Sequence, residues 1–391
     1  MRDFINPVVR AIKPSGIRRF FDIAAEMDHV ISLGVGEPDF DTPWSIRESA
    51  IYSLEQGQTV YTANAGLKEL RQELSAYVYR KYGLTYDPIH EILVTVGGSE
   101  AIDVGLRAMI EPGDEVLIPE PSFVSYIPCV TLAGGIPVPV PLKADNEFKL
   151  TVEDLKAKLT DKSKILIFPF PNNPTGSVMT REEMLPIAKF VQQHDLFVMT
   201  DEIYAELSYT EEPHVSLASL PGMRERCLVI NGFSKAFSMT GWRLGYAMGP
   251  QEILQQMTKI HQFAIMCAPT TSQYAALNAL RSCDEDVAAM RREYNRRRRY
   301  TVNRFRQMGL TCFEPFGAFY VFPSIARFGM SSEDFCSRLL YDQRVAVVPG
   351  SAFGDSGEGF IRVSYAYSME ELKVALDRIE TFVKNLQSTM D

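Results

Sequence analysis

The chain has 391 residues, 46% of them hydrophobic and 23% charged, and its 40 Lys plus Arg against 49 Asp plus Glu leave a formal charge of −9. That mix excludes a disordered chain and leaves room for two or three domains. The acidity argues against nucleic acid as a partner, because phosphate neutralisation needs clustered basic surface. In chain order, the first 44 residues read as a loop-rich segment, with Pro7, Pro14, Pro38 and Pro43. They show no apolar core of a signal peptide and are expected to pack against a second domain. From residue 45 to 285, short apolar runs alternate with helical patterns. Ile92–Val96 reads as a strand and Ser99–Ile110 as a helix that stops before Pro112-Gly113. Glu115–Pro119, Lys164–Phe168, Leu196–Thr200, Cys227–Ile230 and Leu244–Met248 are further strands. A helix over 180–194 opens on Thr180 with Glu183 three residues on, the spacing of a capping box. The alternation predicts an α/β unit with a mostly parallel sheet covered on both faces. Ile127–Leu142, the richest apolar stretch, carries four prolines and two adjacent glycines, so it is no membrane helix.

After about residue 285 the texture changes. A charged helix over 286–308 contains Arg291, Arg292, Arg296–Arg299, Arg304 and Arg306. It reads as one solvated face joining two domains rather than a nucleic-acid site. Gly317–Pro323 is β-like, a helix is expected near 332–342, strands near Val345–Pro349 and Phe360–Ala366, and a last helix from Met369. Residues 286–391 thus read as a smaller α/β domain. Six cysteines, at 129, 227, 267, 283, 312 and 336, include no CxxC pair, and there are five histidines. No metal site or disulfide framework is expected, and reduced thiols point to the cytoplasm.

Four features carry chemistry. Asp201 ends the apolar run Leu196–Thr200, where open α/β sheets bind ligands, and is followed by Glu202 and Tyr204. A cap for a following helix is its plainer alternative. Lys235 lies in NGFSKAFSMTGWRLGYAMG (Asn231–Gly249) with Arg243 eight residues on. A lysine of lowered pKa forms a Schiff base with an aldehyde, and an arginine grips a phosphate. Thr95–Glu100 is a glycine-rich turn between a strand and a helix, fit to cradle one phosphate but lacking the GxGxxG and GxxxxGK[ST] spacings. Asn172–Gly176 follows Ile165–Phe168 and leaves an amide free to donate. A lysine, an anion cradle, a carboxylate and a donor to a phenolate oxygen together suit pyridoxal phosphate.

In their order and spacing these motifs resemble the fold-type I, pyridoxal-phosphate-dependent aminotransferases of class I/II, of the aspartate and aromatic group. The resemblance runs from Ser32–Phe40 (SLGVGEPDF) to Phe360–Ser364 (FIRVS). It implies a large domain with a mixed, mostly parallel seven-stranded sheet between helices, plus a smaller α/β domain. It further implies that Lys235 is the Schiff-base lysine and acid/base at Cα, and that Asp201 pairs with the ring nitrogen. Tyr204 and Asn173 would bind the phenolate oxygen, and Phe123 would stack on the ring where the family more often has Tyr or Trp. Gly98, Ser99, Ser234 and Arg243 would hold the phosphate, and Tyr61 would reach the phosphate of a second subunit. Arg362 would clamp the substrate α-carboxylate, with Gly36 and Asn173 beside it. Gly232 stands where relatives often have Ser, removing one phosphate hydroxyl. The activity implied is ping-pong transfer of an amino group from an L-amino acid to a 2-oxo acid, often 2-oxoglutarate, by a homodimer with its sites at the interface, and with no nucleic-acid or membrane partner.

Two rivals are distinguishable. Carbon–sulfur β-lyases and related α-synthases share the fold and differ in what leaves after the Cα proton. A non-catalytic regulator would need a DNA-binding domain, yet only about 30 residues precede Ser32, and Lys235, Asp201 and Arg362 are all present. The side-chain pocket is expected from Ile12–Ile17, from the region near Tyr126 and from the partner, with Ile17, Phe20 and Phe21 suited to aromatic or aliphatic donors.

Overall fold

The computed structural model describes residues 2–14 and 26–388. Ile17, Phe20 and Phe21 lie outside the described residues. The strands in chain order are β1 (Ile31–Ser32), β2 (Ile92–Thr95), β3 (Glu115–Glu120), β4 (Ile136–Pro141), β5 (Ser163–Phe168), β6 (Phe197–Asp201), β7 (Cys227–Gly232), β8 (Gly245–Met248), β9 (Tyr320–Val321), β10 (Val345–Ala346), β11 (Val348–Pro349) and β12 (Ile361–Ser364). Seven of them form one sheet in the order β2-β8-β7-β6-β5-β3-β4. Only β8 runs antiparallel to its neighbours, so β2, β3, β5, β6 and β7 all end on the same side. Their burial is continuous rather than alternating, as a sheet covered on both faces requires.

The strand β4 was not expected, and its prolines explain both the surprise and its place. Pro137, Pro139 and Pro141 occupy alternate positions, so their missing N–H groups all fall on one lateral side. That side is the sheet edge, and β4 pairs with β3 alone. The flanking Ile136 and Leu142 amides donate to Asp114 and Glu120 on the paired side.

The helix Gly97–Met109 lies on this sheet with Ala101, Ile102, Val104 and Leu106 buried. Gly105 allows its close approach: a Cβ there would meet Leu228 Cδ2 at 2.8 Å and Met199 Cε at 2.9 Å. The helix Arg181–Gln193 starts with the expected reciprocal cap between Thr180 and Glu183.

The C-terminal region departs from its expected outline in three ways. The strand expected over 345–349 is two, because β10 pairs with β1 and β11 pairs with β12. Gly317–Pro323 yields only the two-residue β9, since Ala318 turns at φ 57° and its carbonyl accepts from Tyr209 and Tyr365 hydroxyls. The helix Asp284–Gln307 is not simply a solvated face: Arg297 and Arg298 are buried at 6% and 3% exposure. Arg297 holds Asp39 through both carboxylate oxygens and also Glu293, while Arg298 holds Glu314. Buried cations need such partners. The early segment threads between the small sheets, with the Leu33 amide donating to Ala346 and the Leu33 carbonyl accepting from Ser364. No described helix is long and apolar enough to cross a membrane.

Candidate active site

The common carboxyl ends of β2, β3, β5, β6 and β7 open on a cavity of about 610 Å³. Gly36, Gly98, Ser99, Phe123, Asn173, Asp201, Tyr204, Ser234, Lys235, Arg243 and Arg362 all line it. Tyr61 does not, and stands 78% exposed on the surface.

Lys235 follows β7 on a tight turn and donates from Nζ to the Gly36 carbonyl at 2.6 Å. Burial drives its amine down to about 8, and the Arg362 and Arg243 cations push the same way, while Glu37 and Asp201 oppose. A lysine poised there is neutral for a large share of the time near pH 8 and is a competent nucleophile. Asp201 ends β6 at 7% exposure. Its Oδ2 accepts from the Tyr126 hydroxyl at 2.7 Å and its Oδ1 from the Ile203 amide at 3.2 Å. Burial raises its carboxyl above the usual range despite both bonds. A buried carboxylate under that penalty is stabilised by a cation in the cavity. Glu202 next to it is fully used elsewhere, by Thr200, Ser216 and His214.

The anion cradle is built mainly from backbone. Gly97 opens its helix at φ 77°, in the left-handed region. A Cβ at that position would meet Arg243 Nη2 at 2.7 Å, so the glycine lets the guanidinium sit over the turn. Arg243, itself at φ 52°, donates Nη1 to the Thr240 carbonyl at 3.0 Å. Amides at a helix start together with a guanidinium suit a phosphate.

On the other wall, Arg362 projects from β12 at 4% exposure. Its Nη1 donates to Asn173 Oδ1 at 2.8 Å and its Nη2 to the Gly34 carbonyl at 2.6 Å. The guanidinium lies between the rings of Tyr320 and Phe353, 4.4 and 4.7 Å from their centres. Its Nε is buried without a partner among the described residues. Tyr204 and Tyr320 share a hydroxyl–hydroxyl bond of 2.9 Å, and burial holds both phenols above their ordinary value.

A buried low-pKa lysine, a buried carboxylate, a one-phosphate cradle and a fixed guanidinium with no carboxylate partner in its bonds fit a phosphorylated pyridine aldehyde and a carboxylate substrate. Phe123 is edge-on to Tyr126, ring centres 5.6 Å apart, and still lines the cavity. Three neighbours escaped the sequence reading. Tyr126 was placed near the substrate side chain, yet its hydroxyl is spent on Asp201. Its position three residues after Phe123 was the available hint. Tyr320 and Phe353 left no local signal, because the pairing of β12 with β9 brings Tyr320 to Arg362 and its pairing with β11 brings the turn that ends at Phe353. Among the described residues no cluster of His, Cys, Asp and Glu could hold a metal.

Known proteins resemble this chain over nearly its whole length. Residues 28–379 match the family model described as aminotransferase class I and II. The Bacillus subtilis protein YugH is 55% identical over 98% of this chain and 99% of its own length. The aspartate aminotransferase of Pyrococcus abyssi is 48% identical over 97% of this chain and 98% of its own. The crystal structure of the aromatic aminotransferase of Pyrococcus horikoshii superposes with a TM-score of 0.91 at 45% identity, covering 95% of this chain and all of that one.

Proposed function

We infer, from a chain that belongs to the class I and II aminotransferases and so carries out transamination with pyridoxal 5'-phosphate, how the residues around the cavity divide that work. The observation that carries the reading is the single cavity shared by Lys235, with its amine lowered to about 8, and Arg362, with its guanidinium already fixed. When bound, pyridoxal 5'-phosphate supplies the carbonyl that accepts the amino group and a ring that withdraws electrons from Cα. Lys235 would anchor that carbonyl, and its Nζ, freed when the incoming amine takes its place, would take the proton from Cα and deliver it to the former carbonyl carbon on the other side of the nitrogen. Asp201, oriented by Tyr126, holds a proton on the ring nitrogen. Tyr204 and Asn173 donate to the phenolate oxygen. Phe123, on the cavity wall, would stack against the ring. Gly98, Ser99, Ser234 and Arg243 receive the phosphate, with Tyr61 reaching from the surface toward a second subunit. Arg362 takes the α-carboxylate, and Gly36 leaves it room, which sets Cα within reach of Lys235.

The substrates are an L-amino acid and a 2-oxo acid; 2-oxoglutarate is the acceptor the family implies, and its second carboxylate would need a cation from outside this lining. The described lining contains three cationic side chains, and the cofactor and the α-carboxylate engage all three. The rest of the lining is largely apolar, with Val35, Ile102, Pro169, Pro171, Ile203 and Tyr320, and beside Asp201 its one further charged group is the anionic Glu37. That inventory favours aromatic and aliphatic donors over aspartate. A panel of amino donors with 2-oxoglutarate, ranked by kcat/KM, tests it. We expect tyrosine or phenylalanine to lead, and a lead for aspartate of about tenfold, ~1.4 kcal/mol, would overturn the donor assignment. Equilibrium sedimentation tests the dimer, and a Tyr61→Phe variant that binds cofactor as the parent does would remove Tyr61 from the phosphate site.

A further inference from the structure

The anion cradle contains a contradiction. Glu100 occupies the first turn of the helix Gly97–Met109, two residues past Gly98. A carboxylate there competes with a bound phosphate for the same helix dipole and repels it. The contacts of Glu100 show how the conflict is managed. Its Oε2 accepts the backbone N–H of Val96, one of the orphan donors at the helix start. Its Oε1 accepts from Nδ1 of His261 at 2.6 Å. His261 belongs to the helix Gln251–Ala264 and has no exposed surface. Its other nitrogen, Nε2, is buried without a partner among the described residues. A buried orphan nitrogen is costly, so nothing but the bond to Glu100 rewards a histidine at this place. His261 does not line the cavity.

We propose that His261 is a positioning residue for the cofactor phosphate: it ties the Glu100 carboxylate back toward Val96 and so keeps the cradle shaped and free of that negative charge. The inference rests on the assignment of the 97–99 turn and Arg243 to the phosphate. Loss of the imidazole donor leaves Glu100 with one bond and lets its charge turn toward the anion. The effect is specific to the phosphate, because ring, aldehyde and Lys235 are untouched.

The test compares the affinity of the cofactor-free enzyme for pyridoxal 5'-phosphate and for pyridoxal, which keeps ring and aldehyde and lacks the phosphate. Binding is read by the visible absorbance of the covalently attached ring. His261→Leu should weaken the phosphorylated ligand about tenfold and leave pyridoxal within about twofold, the size expected for one hydrogen bond to a charged group. His261→Asn, whose amide can donate in place of Nδ1, should restore most of the difference. Equal affinity of parent and leucine variant for the phosphorylated ligand overturns the proposal, and so does a parallel loss for both ligands. Arg243→Gln separates the two levels. If it selectively weakens the phosphorylated ligand and His261→Leu does not, the cradle assignment stands and only the role of His261 falls. If Arg243→Gln shows no selectivity, the cradle assignment falls and takes the proposal with it. Should the leucine variant not accumulate, His261→Met carries the same comparison.

Discussion

Arg243 and Arg362 face one cavity from opposite walls and are held in opposite ways. Arg243 sits exposed on a turn, and what positions it is mostly local: its own left-handed backbone and the carbonyl of Thr240 three residues back, with one distant contribution, the gap left by Gly97. Arg362 is buried, and what positions it is mostly distant: Gly34, Asn173 and Tyr320 from three separate parts of the chain, with Phe353 nine residues back. The difference matches the ligands assigned to them. A phosphate that stays bound through many turnovers is shared among backbone amides and a side chain, so no one group dominates. A carboxylate that arrives and leaves each cycle meets a guanidinium whose ordering cost was met on folding.

The largest effect removes the group that both arginines serve. Lys235→Ala should lower kcat by about four orders of magnitude or more, since proton transfer at Cα and attachment of the carbonyl are lost together. Amino-acid binding should survive, because Arg362 remains, and a substrate-induced absorbance change in the variant measures it. Next in size is Arg362→Leu, expected to reduce kcat/KM by about a hundredfold to a thousandfold through loss of a two-bond carboxylate clamp. Cofactor affinity should stay as in the parent. A comparable loss of cofactor would break the division between the two walls. Arg243→Gln should do the reverse at smaller size, weakening the cofactor about tenfold while the KM of the saturated enzyme for amino acid holds.

The same contrast decides what could be read from the chain. Asp201, Lys235, Asn173 and Gly98 each follow an apolar run closed by turn residues, and that signal lies within about ten residues. The wall built on the large sheet was therefore legible down to single residues. The wall around Arg362 was legible only by resemblance, because the contacts that fix it join residues far apart in the chain. Tyr320 reaches Arg362 through the pairing of β9 with β12. Arg297 was misread for the same reason: an arginine in a run of four looks solvated until Asp39, from the other end of the chain, is known to lie against it. The proline strand β4 was missed on different grounds, since local propensity opposes a strand and only its place at the edge permits one.

The smallest expected effect is also the most direct measure of how the two walls act on one atom. The rate at which the cofactor-free enzyme attaches pyridoxal 5'-phosphate should rise with pH, with a midpoint near the value of about 8 for Lys235. Below that midpoint the amine is protonated and not nucleophilic; above it the lone pair is free. Both arginines disfavour the charged amine, so removing either should raise the midpoint, and Arg362→Leu should raise it more than Arg243→Gln because its influence on Lys235 is the larger. Glu37→Gln should lower it, because Glu37 is the strongest neighbour favouring the charged form. Shifts of a few tenths of a pH unit to about one unit are expected for charges several ångströms away near a protein surface. Stopped-flow absorbance across pH 6 to 10 reads all four proteins, about the range needed to define both limbs. If the Arg362 variant kept the parent's midpoint, the substrate wall would not be electrostatically coupled to Lys235, and the lowering of that amine would belong to burial and Arg243.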